Sequence, residues 1–455
     1  MLSLCCPRCD AQLVEHTDAG LSCPACKIDF PVLDPSAARI PFLWSEPHAS
    51  LLDWQNRFNA TLADLETQRS GTELIHSAAI ATQHRLQHLN TALTRHQQEL
   101  QTLFHGLQVG EAIARETHLA LRTRLPSHHG TLSYAQNIHR DWCWGDAENR
   151  QVLTHLTDII SGIEKPSRML VLGCGAGRLA FDLHRTLGVD ETWAVDSNPM
   201  LCLLGQRMCN GDTLTLTEFP LAPISMEDSA VERTLSAPGP VEGIQFVCAD
   251  ATRLPFSAAQ FDLVITPWLI DVIDTSLPDF LQTIYRAIAP DGYWLNHGSL
   301  AFAGNQPVNR MTQEEVAALT RTAGFEVKAC ADTWLPYLQS PASRHHRTEL
   351  THTLLAQRDS KQARKRMLRH QHLPEWLVSG RTPVPLSPGL QTQITTTRIH
   401  AFIMSLIDGR RSVLDMAQVL DEQRLMPADQ ATMAIRQFLT TMLEEARRYE
   451  GRSQS

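Results

Sequence analysis

The chain has 455 residues, a formal net charge of −9 and 43 % apolar residues. That length accommodates several domains with ample cores, and the acidic balance excludes a broad basic surface for gripping nucleic acid as the main feature. No apolar run reaches the ~20 residues that span a bilayer, and Met1-Leu2-Ser3-Leu4-Cys5 lacks the charged and apolar regions of a secretion signal. Four of the 11 cysteines fall in one pattern and the rest are scattered, which makes a reducing cytoplasm the expected compartment.

The first predicted element is a pair of C-P-x-C knuckles, Cys6-Pro7-Arg8-Cys9 and Cys23-Pro24-Ala25-Cys26, separated by thirteen residues. Two residues between thiolates let one tight turn aim both sulfurs at one ion. Two such turns complete a closed tetrahedral zinc site with no open position, so the metal is structural. A redox pair would explain one C-x-x-C but not two. Residues 1–45 are therefore read as a zinc ribbon held by Cys6, Cys9, Cys23 and Cys26, and Pro41 to Pro47 as a linker. Residues 46–130 form a helical region. From Leu51 to Arg124 there is no proline, and Leu86, Leu89, Leu93, Leu100, Leu103 and Leu107 follow a three-four spacing with His96 at the missing position. The spacing predicts a helix packed against its neighbours. The histidines on it, His84, His88, His96 and His105, read as face residues rather than ligands.

Residues 131–359 carry the chemistry. Arg168 to Leu172 is a short apolar strand. Gly173-Cys174-Gly175-Ala176-Gly177 follows, then a helix from Arg178 to Leu187, then a strand Glu191 to Asp196 that ends in an acid. In such a β-loop-α-β unit the glycines let the backbone approach a ligand, and the acid can accept bonds from two ribose hydroxyls. Alone, the loop also fits nicotinamide and flavin enzymes. A third strand ends at Cys248-Ala249-Asp250-Ala251, a fourth covers Phe261 to Ile265, and Ala289-Pro290-Asp291-Gly292 turns into a fifth. This order resembles the class I S-adenosylmethionine-dependent methyltransferases. The resemblance implies an α/β fold with a Rossmann-like sheet, and the cofactor S-adenosylmethionine. It places the methionine part on Gly173, Gly175 and Gly177, the ribose on Asp196, and the adenine amino group on Asp250 with Ala251.

Several segments also resemble, in order, the carnosine N-methyltransferase family. Arg140-Asp141-Trp142 matches its R-D-W segment, which implies that Arg140 lies near the cofactor carboxylate. "LGCGAGRLA" is similar to its glycine loop, "TPWLIDVID" to its F-I-D segment, and "APDGYWLNHGSL" to its P-G-G-x-W-I-N-x-G-P-L segment. The stretch from Leu214 to Glu242 falls where that family carries an insertion. The likeness spans Tyr134 to Asp359 and implies that Asp271 binds the acceptor. Beside that arginine, Asn137 replaces a glutamine of the family. In the acceptor pocket, Ala303 replaces a histidine and "SRHHRTELTHTLL" a tyrosine-bearing stretch.

Methyl transfer from a sulfonium is an in-line displacement, so the acceptor must present an uncharged nitrogen lone pair. A carboxylate that accepts the N–H of a neutral imidazole turns the other nitrogen toward the methyl group and stabilises the positive charge that grows on the ring. Asp271 is expected in that role, and Trp268, His297 and His346 are expected to line the acceptor pocket. A nucleic-acid-type [N/D]-P-P-[Y/F] loop would here read Thr266-Pro267-Trp268-Leu269, without the first amide or acid.

Residues 360–392 form a basic, proline-rich linker that contains "SKQARKRMLRHQH" and "RTPVPLSPG". Residues 393–455 read as a small, helical, winged-helix-like domain for a peptide, RNA, a partner or packing. The expected activity is N-methylation of an imidazole- or histidine-containing small molecule or peptide. The alternative is an RNA methyltransferase that grips RNA with the ribbon. A membrane partner is not expected, and self-association stays open.

Overall fold

The computed structural model describes residues 3–16, 20–34, 38–73, 79–107, 134–273, 275–302, 310–359, 383–384, 388–436 and 438–439. The chain divides into two compact units, Met1–Leu373 and Pro374–Ser455. The first is built on a nine-stranded sheet. In chain order its strands are β4 (Val32–Leu33), β5 (Ile40–Leu43), β6 (Arg168–Leu172), β7 (Glu191–Asp196), β10 (Ile244–Ala249), β11 (Phe261–Pro267), β12 (Ile288–Gly298), β13 (Phe325–Tyr337) and β14 (Arg347–Arg358). Across the sheet they run β13-β14-β12-β11-β6-β7-β10-β5-β4. The six from β12 to β5 are parallel, and antiparallel strands close both edges.

The central strands read as near-continuous apolar runs because helices cover both faces. Met169 to Leu172 and Leu263 to Ile265 are fully buried. Among the described residues the α-helices of this unit are α1 (Pro47–Glu73), α2 (Ile80–Leu103), α3 (Ala135–His139), α4 (Asp146–Ile159), α5 (Arg178–Leu187), α6 (Pro199–Cys209), α7 (Leu277–Ala287) and α8 (Gln313–Thr322). Their ends follow capping chemistry. Asn198 accepts the Met200 N–H with Pro199 at the first turn of α6, and Thr312 and Glu315 form a capping box on α8. Strand order reverses at β6, whose neighbours are β7 and β11. Open α/β sheets bind ligands at such a switch point, outside the carboxyl ends of the strands.

Three features differ from the sequence reading or fill its gaps. Pro41 to Leu43 is not a linker but part of β5, which pairs in parallel with β10 through Phe42–Cys248 and Leu43–Ala249. Phe42 and Leu43 are fully buried there, so a two-sided apolar environment overrides the prolines that suggested a linker. Within the expected helical region the described residues form two helices, α1 and α2. The leucine stripe of α2 packs inward with His96 on its buried side, bonded to Glu99; residues 74–78 and 108–133 lie outside the described residues. The inserted stretch forms an antiparallel hairpin, β8 (Thr213–Glu218) with β9 (Val231–Ser236).

The knuckles sit on a small antiparallel sheet, β1 (Val14–His16), β2 (Gly20–Cys23) and β3 (Ile28–Phe30). Cys6, Cys23 and Phe30 share an apolar cluster with Leu43 and Trp193 of the large sheet and with Phe256 of the β10–β11 connection. The Cys5 N–H donates to the Pro255 carbonyl at 2.8 Å, and Asp10 pairs with Arg286 at 3.0 Å. The second unit has its own core. Ile403 of α9 (Pro388–Ser405) and Leu406 just after it meet Met416, Ala417 and Leu420 of α10 (Val413–Glu422), with Ala431 and Ile435 beyond. The basic run at 360–376 and most of the proline-rich segment lie outside the described residues.

Candidate active site

A cavity of about 550 Å³ opens at the carboxyl ends of β6, β7, β10 and β11. Gly173 and Gly175 of the loop after β6 form one wall, with positive φ at +68° and +57°. A Cβ at Gly175 would meet nothing within 4 Å, whereas one at Gly177 would lie 2.4 Å from the Phe246 ring. Gly175 therefore leaves open space for a ligand, and Gly177 serves close packing at the start of α5. Gly177 is not on the cavity wall.

Asp196, at the end of β7, faces the cavity. Its Oδ2 accepts the Gly175 N–H and its Oδ1 the Asn198 N–H, each at 2.9 Å. Burial pushes its pKa up to about 6, against the pull of those backbone donors. Each oxygen keeps a lone pair for a hydroxyl. Asp250 and Ala251 follow β10 on the same wall; Asp250 Oδ1 accepts the Thr252 N–H and hydroxyl at 2.8 and 2.7 Å. Arg140 also lines the cavity, on a π-helical turn (Arg140–Trp144). Its Nε and Nη2 donate to Asp141 Oδ1 at 2.8 and 2.6 Å. Trp142 secures that turn by donating to the Ala176 carbonyl at 2.9 Å. Of the seven expected cofactor residues, the structure brings six to one cavity, all but Gly177.

The expected acceptor residues divide. Trp268 is on the wall, at φ +46°, a conformation rarely held by a bulky residue. Its N–H donates to the His297 carbonyl at 2.7 Å, and its buried indole Nε1 has no hydrogen-bond partner among the described residues. Asp271, His297 and His346 are not on the wall. Asp271 is occupied elsewhere: its Oδ2 accepts the Ala301 N–H at 2.8 Å, which ties the loop after β11 to the segment after β12. Burial raises its pKa. His297 is fully buried with its ring edge-on to Trp268 at 4.5 Å and its Nδ1 2.8 Å from Thr353 Oγ1. It backs the wall rather than forming it. His346 is exposed and bonds to the Ser340 carbonyl at 3.0 Å. Ala303 lies outside the described residues.

Sequence reasoning missed much of the wall. Trp44, just after β5, and Ser50, Asp53, Trp54 and Arg57 of α1 line the cavity, as do Tyr134, Glu148, Asp182 and Tyr337. Only the addition of β5 beside β10 places Trp44 next to Asp250, and no local motif announces that pairing. Tyr337 closes the far side, with its ring centre 5.6 Å from that of Trp268 and its hydroxyl bonded to Asn137 Nδ2 at 3.1 Å. The wall thus carries Trp44, Trp54, Tyr134, Trp268 and Tyr337. Its six carboxylates (Asp53, Asp141, Glu148, Asp182, Asp196 and Asp250) face two guanidinium groups, Arg57 and Arg140.

Residues 170–295 match a family model described as "Methyltransferase domain". The chain contains a class I S-adenosylmethionine-dependent methyltransferase domain. No curated protein matches the chain. Among solved structures it is similar to an S-adenosylmethionine-dependent methyltransferase from Methanosarcina mazei (16 % identity, 44 % of this chain and 97 % of that one, TM-score 0.31). It is also similar to the N-methyltransferase NodS from Bradyrhizobium japonicum (13 % identity, 47 % and 98 %, TM-score 0.32).

The four knuckle cysteines lie together, their sulfurs all within 4.8 Å of one another. Cys6 and Cys26 are 4.0 Å apart and Cys9 and Cys23 3.5 Å. Burial pushes the Cys26 thiol up to about 12. No described helix is long and apolar enough to cross a membrane.

Proposed function

We propose that this protein transfers a methyl group from S-adenosylmethionine to a nitrogen of a small, imidazole- or histidine-containing molecule or peptide. The observation that carries this reading is the cavity, which joins a cofactor-type glycine loop to an acidic, aromatic pocket. The residues fit the cofactor. Gly175 faces open space, Asp196 has hydroxyl-accepting capacity to spare, and Arg140, anchored by Asp141, brings a positive charge to the wall for a carboxylate. When bound, the cofactor supplies an electrophilic methyl on a sulfonium. The chain's residues hold and orient. Gly173 and Arg140 receive the methionine part, Asp196 the ribose, and Asp250 with Ala251 the adenine.

On the acceptor side, Trp268 and Tyr337 provide flat apolar surface that excludes water from the transfer. The wall's carboxylates, though Asp53, Asp141 and Asp182 are paired with arginines, disfavour a phosphate chain. Asp271 acts at one remove, by fixing the loop that carries Trp268 through the Ala301 N–H.

The four cysteines are proposed to hold a structural zinc ion. A tetrahedral site with Zn–S near 2.3 Å has sulfurs about 3.8 Å apart, and the observed separations of 3.5 and 4.0 Å bracket that value. The test of function is a screen of imidazole dipeptides, histidine derivatives, histidine peptides and RNA with labelled methyl donor. Label is expected in the imidazole compounds; label in RNA alone would overturn the reading.

A further inference from the structure

The hairpin of β8 and β9 contributes nothing to the cavity wall, yet it holds one side of it. Tyr337 is the last residue of β13 and lines the cavity. The next residue, Leu338, has φ +54°, a left-handed conformation that costs a non-glycine residue roughly 1–2 kcal/mol. Such a turn persists only where its surroundings impose it.

Here they do so from two sides. Glu148 of α4 accepts the Leu338 N–H at 3.1 Å with one oxygen and the Gln339 N–H at 2.8 Å with the other. Glu218, the last residue of β8, is 2 % exposed. It accepts the Ser340 hydroxyl at 2.6 Å with Oε1 and the Arg233 Nε–H of β9 at 2.7 Å with Oε2. A carboxylate that buried is tolerated because both oxygens are engaged, one of them by a cation. The loop of the hairpin adds backbone bonds to the same segment, from the Arg344 N–H to the Ala222 carbonyl at 2.7 Å and from the Ile224 N–H to the Ala342 carbonyl at 3.2 Å. Arg140 stands 5.4 Å from the Tyr337 ring centre on the cavity side.

We infer that the inserted hairpin positions the acceptor side of the cavity: Glu218, through Ser340, fixes the 338–340 turn and with it the Tyr337 ring. Glu218 and Ser340 are positioning residues for the reaction. The inference rests on the proposed methyl transfer in this cavity.

The experiment uses the full chain with Ser340→Ala, which removes the bond to Glu218 and leaves the Glu218–Arg233 pair. In that variant, hydrogen exchange at the Leu338 and Gln339 amides should rise at least tenfold. The affinity for S-adenosylhomocysteine should stay within twofold. With an imidazole dipeptide as acceptor, KM should rise at least fivefold while kcat stays within twofold. Ser340→Thr, which keeps the hydroxyl, should restore all three values. Unchanged exchange in Ser340→Ala, or a loss confined to kcat, overturns the inference. Wild-type protein that binds S-adenosylhomocysteine but methylates no imidazole compound overturns the substrate reading instead, and the exchange measurement then still decides the role of the hairpin in shaping the wall.

Discussion

Two glycines two residues apart, Gly175 and Gly177, make the sharpest test of the site, because the same change should do different things at each. An alanine at Gly175 projects its methyl into open cavity. The folded state meets only the left-handed backbone cost, roughly 1–2 kcal/mol, or a few degrees in Tm for a unit of this size. The methyl occupies ligand space, so the affinity for S-adenosylhomocysteine should fall more than tenfold, at least about 1.4 kcal/mol. At Gly177 the methyl would sit 2.4 Å from Phe246 Cζ at φ +87°. Overpacking adds about 1–3 kcal/mol to the backbone cost, so Gly177→Ala should lower stability by about 2–5 kcal/mol. Thermal unfolding and calorimetric titration of both variants give the readout. A Gly175→Ala protein that binds S-adenosylhomocysteine like wild type would refute the assignment of that open space to the cofactor. A Gly177→Ala protein as stable as Gly175→Ala would refute the packing argument.

Asp271→Ala should reduce methyl transfer and leave S-adenosylhomocysteine binding intact, since the Asp271 carboxylate ties the Trp268 loop to Ala301; wild-type turnover would sink that role. Zinc chelation should lower the melting temperature of the first unit in a single transition, because Cys6, Cys23 and Phe30 share a core with Trp193 and Phe256; a separate early transition in calorimetry would contradict it. Stability should fall between pH 7 and pH 5. Burial lowers the folded pKa of His139 to about 4 and of His297 to about 3, so protons favour the unfolded chain below its pKa near 6.5, at a cost of about 2 kcal/mol each by pH 5. Asp196, raised to about 6, has the opposite sign and returns about 1 kcal/mol over the same range. His139→Gln should flatten the decline, and an unchanged slope would count against this account.

The order of strands and the cofactor loop were legible because they are local. Apolar runs that end in Gly173 to Gly177, Asp196 or Asp250 need only their own neighbours to be read, and the helix from Arg178 to Leu187 has the same bounds in sequence and structure. The knuckles were legible for the same reason, since spacing alone brings two sulfurs to one turn. The acceptor side was not. Asp271, His297 and His346 have suitable chemistry, but their placement depends on long-range pairings: Asp271 with Ala301, His297 with Thr353, and His346 with Ser340.

By itself, then, the sequence determined the loop-and-acid half of the cavity, where each wall residue belongs to the loop after β6 or stands at or just past the end of its own strand. Tertiary structure decided the other half. Parallel pairing of β5 with β10 brought Trp44 and α1 to the cavity, the hairpin of β8 and β9 set the turn after Tyr337, and the loop after β11 pointed Trp268 inward and Asp271 away. Those choices follow from burial and register between segments far apart in the chain, and no local pattern encodes them.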